Sequence, residues 1–90
     1  MHIEELQTAF ETAGSELHRL ILGDYQGAYS LGVSYSATTE ENGILYTPCL
    51  LLRVEPENPE GFPKTVELAG HTVPLDVRGN FKPPQPQISP

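Results

Sequence analysis

The spacing of apolar residues changes once along this chain, at the glycine-bearing segment 23–27, and that change limits what the chain can fold into. Before it, Ile3, Leu6, Phe10, Ala13, Leu17 and Leu20 follow the alternating three-and-four step that lines one face of a helix. After it, Tyr29, Leu31, Val33 and Tyr35 alternate with Ala28, Ser30, Gly32, Ser34 and Ser36, the period of two that belongs to a strand with one buried face. A helix followed only by strands has one economical arrangement, in which the helix covers the apolar face of the sheet. The expected fold is therefore α+β: one N-terminal amphipathic helix packed on a mostly antiparallel sheet of about four strands.

The helix is expected over residues 2–22, with Glu4, Gln7, Glu11, Ser15, Glu16, His18 and Arg19 on its polar face and Gly23 as a left-handed stop. Gly14 lies inside the pattern and should cost about 1 kcal/mol relative to alanine, so either the helix weakens there or a neighbour packs closely against it. The heptad-like spacing also admits a seam with a second helix, although three heptads that include an alanine make a short one.

The first strand is expected over residues 28–36, and Glu40-Glu41-Asn42-Gly43 supplies an Asn-Gly pair suited to a type I′ hairpin turn. A second strand, 44–55, should return antiparallel. Pro48 within it cannot donate a ladder hydrogen bond and marks an edge, a bulge or a break. Cys49-Leu50-Leu51-Leu52 is apolar enough to suggest burial on both faces. Residues 56–63 read as a loop anchored by Phe62. Val66 and Leu68 begin a third strand, Ala69-Gly70-His71 turns, and Val73, Leu75 and Val77 alternate in a fourth, making a second hairpin. Residues 1–81 thus read as one domain. From Lys82 the proline-rich stretch to Pro90 reads as an extended tail, whose Pro83, Pro84 and Pro86 have the spacing of a ligand for an aromatic groove.

Charge and size narrow the function. Twelve acidic residues against five basic ones give a net charge of −7, which opposes binding to nucleic acid or to anionic lipid. The charge is uneven: residues 1–60 hold ten carboxylates against Arg19 and Arg53, whereas Lys64, Arg78 and Lys82 outnumber Glu67 and Asp76 in the remainder. An acidic surface of this kind is usually just solvated; its sharper use would be to meet a basic partner or mimic nucleic acid. One cysteine, Cys49, excludes an internal disulfide and favours a reducing compartment, so the expected location is cytoplasmic. Neither a signal peptide nor a run of apolar residues long enough for a membrane span is visible.

Catalytic signatures are absent. Gly32-Val33-Ser34-Tyr35-Ser36 lacks the second glycine of a nucleophile elbow and lies in a strand. Cys49 sits among apolar residues that keep a thiol protonated. His2, His18 and His71 are scattered without zinc spacing, and the acidic stretches Glu40-Glu41 and Glu55-Glu57-Glu60 lack the residue order of a calcium loop. His71, in a Gly-His-Thr turn five residues before Asp76, is the most suggestive of the three, yet a histidine bonding its own turn is the plainer reading. No catalytic, cofactor or metal residue is assigned, and a chain burying only roughly 60% of its unfolded surface has little room for a deep pocket. The expectation is a non-enzymatic interaction or accessory module. Its partner would be another protein or a second copy, joined through strand 28–36 or helix 2–22; an acidic regulator or inhibitor of a basic protein is the alternative. Strand 28–36 carries neither charge nor proline, so it is either central, with the second hairpin beside it, or an edge that another chain completes. The proline in the second strand favours the central placement.

The order Leu31-Gly32-Val33-Ser34-Tyr35, Asn42-Gly43, Leu50-Leu51-Leu52-Arg53-Val54-Glu55, Phe62-Pro63 and Val73-Pro74-Leu75-Asp76-Val77 resembles the small α+β module found before or beside trypsin-like serine peptidase domains in some bacterial proteins. It spans about half the chain. The resemblance implies an accessory or processed module of a peptidase system, and not the peptidase itself. Ser34 stands where that family more commonly has glycine, and a tail replaces the catalytic domain.

Overall fold

The computed structural model describes residues 2–82 and has one helix and four strands: α1 (Ile3–Leu22), β1 (Tyr29–Glu40), β2 (Gly43–Val54), β3 (Thr65–Leu68) and β4 (His71–Arg78). The tail expected from Lys82 lies, from residue 83 onward, outside the described residues. The four strands form one sheet in the order β1-β2-β4-β3, in which β1–β2 and β3–β4 are antiparallel and β2–β4 is parallel. The fold is α+β, as the change of period predicts, with a mixed sheet.

The core lies between α1 and one face of the sheet. Leu6, Leu17 and Ile21 from the helix meet Leu50, Leu52 and Val54 of β2, Val66 and Leu68 of β3, and Val73 and Leu75 of β4. Leu31 and Val33 pack against this cluster from β1, so the large set of the alternating strand faces the helix as expected. The small set, Ser30, Gly32, Ser34 and Ser36, points the other way by the strand's period. No layer among the described elements covers that second face. Cys49 is nonetheless only 1% exposed there, outside the main cluster, while Leu51 is half-buried.

The helix differs from expectation in its buried face and at its end, and at Gly14 it takes one of the two expected alternatives. Gly14 has φ 56° and ψ −139°, so the helix is broken at that residue. Nothing lies within 4 Å of where its Cβ would be, which removes close packing as the reason for the glycine. Beyond the break the buried stripe runs through Leu17 and Ile21, leaving Leu20 71% exposed although the heptad reading put it on the apolar face. Leu17, counted across the break, is buried as expected; the miss comes in the next step, where a helix allows three or four residues and the fold buries Ile21 instead of Leu20. Gly23 ends the helix at positive φ, but its ψ of −118° is not left-handed helical.

The first hairpin also turns differently from the Asn-Gly expectation. Glu40 pairs with Gly43 around Glu41-Asn42, and only Gly43 has positive φ, at 130°. Pro48 explains the choice. Hydrogen-bonded and non-hydrogen-bonded pairs alternate along an antiparallel ladder. With Glu40↔Gly43 closing the turn, Tyr35↔Pro48 is a non-hydrogen-bonded pair, and the donorless proline nitrogen points away from β1. A turn centred on Asn42-Gly43 would shift the register and place Pro48 where β1 needs a donor. The paired positive-φ turn occurs instead in the second hairpin, at Ala69 (50°) and Gly70 (80°).

Candidate interaction edge

Among the described residues β1 is an edge strand. This corrects the central placement favoured by the sequence, and the two strand prolines supply the reason. Leu75 N–H donates to the Lys64 carbonyl on the β3 side, and the Val54 carbonyl accepts from Phe81 N–H on the side away from β1. By alternation, the nitrogens of Pro48 and Pro74 therefore both face the seam between β2 and β4. The parallel ladder starts just past them, at Leu50↔Leu75, and ends at Arg53↔Arg78. Pro48 does not push β2 to the outside; it ends the pairing of β2 with β4 on one side and leaves β1 as the outermost strand.

Two consequences follow for the surface. The distal halves of β1 and β2 project from the sheet as a two-stranded arm, and Tyr35, Ile44, Leu45 and Tyr46 on it are 50–60% exposed. Tyr35 and Tyr46 meet edge to face across the strands, with centroids 6.5 Å apart, beside a hollow shared with His2, Ile3 and Pro48. The second consequence concerns the backbone. Even-numbered β1 residues face β2, as the Ala28 N–H donating to Glu55 Oε1 (2.6 Å) just before the strand also indicates. The N–H and C=O groups of Tyr29, Leu31, Val33, Tyr35, Ala37 and Thr39 face outward, where no described strand pairs with them.

Strand edges are normally blunted by charge, proline or brevity. The opposite edge follows that rule: β3 has four residues, includes Glu67 and begins beside Lys64. β1 has twelve residues, spans about 40 Å at strand rise, and carries no charge or proline before Glu40.

The residues weighed as chemical candidates do not converge. Among the described residues no group of three or more His, Cys, Asp or Glu side chains is placed to hold a metal ion. His18, expected on the polar helix face, is half-buried, with Nδ1 2.9 Å from Tyr29 Oη and its ring between those of Phe10 and Tyr29. His71 opens β4 and lines an open groove of about 720 Å³ together with Glu4, Glu5, Ala9, Ala13 and Leu68. Burial pushes the Cys49 thiol up from its ordinary pKa, and the Asp76 carboxylate adds to the shift. Asp76 itself is paired with Arg78 at 3.0 Å. No described helix is long and apolar enough to cross a membrane.

Sequence reasoning missed one organising residue. The Tyr25 hydroxyl donates to the Ala28 carbonyl (2.7 Å) and accepts from Glu55 N–H (3.0 Å), while its ring meets Phe62 edge to face at 5.9 Å. It ties the start of β1 to the end of β2 and to loop 56–63, with Phe62 the anchor expected there. No signal in the sequence marks it, because its polar partners are backbone atoms brought close only by folding.

No family model matches the chain, and no curated protein or solved structure matches it either.

Proposed function

We propose that this domain is a non-enzymatic protein-interaction module that binds by strand addition along the outer edge of β1. The observation that carries the reading is the unguarded edge itself: a twelve-residue strand, six of whose residues turn backbone groups outward, with no proline and no charge before the last position. Main-chain hydrogen bonds along such an edge supply affinity, and alternate side chains supply selectivity. The exposed tyrosines and aliphatic side chains of the arm extend the same surface. The helix-seam route to a partner has less support, because Leu6 and Leu17 of that seam are already buried against the sheet. Electrostatic regulation of a basic partner has less support too, since the carboxylates are spread over α1, the arm and loop 55–60 instead of converging. An accessory role beside a trypsin-like peptidase, which the sequence resemblance implies, is one setting in which such an edge would be used.

Hydrogen exchange in excess synthetic alternating Thr-Val peptide tests the reading. The outward amides of Leu31, Val33, Tyr35 and Ala37 should then exchange slowly. If they exchange as fast as the turn amides of Glu41 and Asn42 with the peptide present, the edge does not accept a strand and the reading is wrong.

A further inference from the structure

We infer that the strand received by β1 is β1 of a second copy of this chain, paired antiparallel about a two-fold axis through Ser34; this rests on the strand-addition reading above. Charge argues for that occupant. Two chains of net charge −7 repel, so copies can approach closely only where carboxylates are missing, and Tyr29–Thr39 is the charge-free stretch of the edge.

The sequence of this stretch is also complementary to itself. A closed dimer joined edge to edge requires antiparallel strands and an axis that maps the stretch onto itself. Ser34 is its midpoint. An axis there places Val33 opposite the partner's Tyr35, Leu31 opposite the partner's Ala37 and Tyr29 opposite the partner's Thr39. These are the outward-facing residues, so their N–H and C=O groups meet as hydrogen-bonded pairs. Large side chains then continue the helix-facing side of the sheet. On the other face Ser34 meets the partner's Ser34, Gly32 the partner's Ser36 and Ser30 the partner's Thr38, at the closely spaced positions where small hydroxyl residues fit. Glu40 falls just beyond the paired stretch at each end.

The arm supplies a second reason. A two-stranded ribbon is marginal in water, whereas three or more strands with an apolar face are not. Pairing through β1 lays the arm of each copy beside the sheet-bound half of the partner's β1, so each arm gains neighbouring strands and the two sheets become one continuous sheet of eight strands.

Light scattering over a concentration series, on the full chain, tests the inference. The mass should rise from the 9.9 kDa of one chain to about double, and more readily at high salt, where repulsion between the acidic bodies is screened. Ser34→Lys and Ser34→Glu, each alone, should stay at the mass of one chain because like charges face each other across the axis. An equimolar mixture of the two should recover the doubled mass, which a merely misfolded variant would not. Wild-type protein that keeps the mass of one chain throughout, or two variants that dimerise separately, would overturn the inference. Single-chain mass together with peptide-induced protection of the odd-numbered β1 amides would sink the second copy while leaving strand addition standing; loss of both would sink both.

Discussion

One side chain in this molecule acts through a position that no local pattern announces. Tyr25 holds two chain segments through one hydroxyl, so Tyr25→Phe leaves the Ala28 carbonyl and the Glu55 N–H without that partner. Each protein hydrogen bond contributes about 1 kcal/mol net, and the freed groups are near water, so the variant should lose roughly 1–2 kcal/mol in urea denaturation with the ring contact to Phe62 retained. Cys49 gives a pH signature. Its folded pKa is raised, so the thiol keeps its proton in the fold at pH values where the unfolded chain has lost it. The associated stability is whole below the unfolded thiol pKa and declines as pH rises from there through the folded value. Denaturation midpoints of wild type and Cys49→Ser should therefore diverge less at alkaline than at neutral pH. Iodoacetamide should label the native thiol far more slowly than the unfolded one. The sequence places Cys49 correctly as a buried residue because its neighbours are apolar. It misplaces His18, since the tyrosine that bonds it comes from a different element.

Elements were legible where a period was unambiguous and illegible where it was not. The alternation in β1 identifies both the strand and its core-facing side, and Leu50 and Leu52 take the burial that their neighbourhood implies. In α1 the glycine at position 14 marks the weak point, but the step after Leu17 is ambiguous between three residues and four, and the fold buries Ile21 and exposes Leu20. The break has a testable cost. At φ 56° and ψ −139° a side chain is strained, so Gly14→Ala should destabilise the protein by about 1–3 kcal/mol even though alanine favours a regular helix and has free space around it. A thermal melt decides: a raised midpoint would mean that the helix straightens without losing the packing of Leu17 and Ile21. The hairpin shows the same lesson from another side. Asn42-Gly43 is a strong turn signal taken alone, but Pro48, several residues away, sets the register that the turn must serve.

At the scale of the whole molecule, the fold class could be read from the order of periods, but the strand order could not. Proline in a strand says that one donor is missing, without saying on which side. Here Pro48 and Pro74 both withdraw donors from the seam between β2 and β4, so that seam is short and β1 is left outermost. The candidate interaction edge is thus a product of topology: its lack of charge is visible in the sequence, and its openness is not. Among the described strands β1 is paired on one side only, and amide exchange along β1 measures this directly. It is best read on Ala37→Pro, which removes an outward donor while leaving the donors used by β2 in place. In that variant Ser30, Gly32, Ser34 and Ser36 should exchange slowly, and Leu31, Val33 and Tyr35 fast. At a concentration where this variant has the mass of one chain, uniformly slow exchange from residue 30 to 36 would contradict the account, because β1 would then be enclosed on both sides within its own chain.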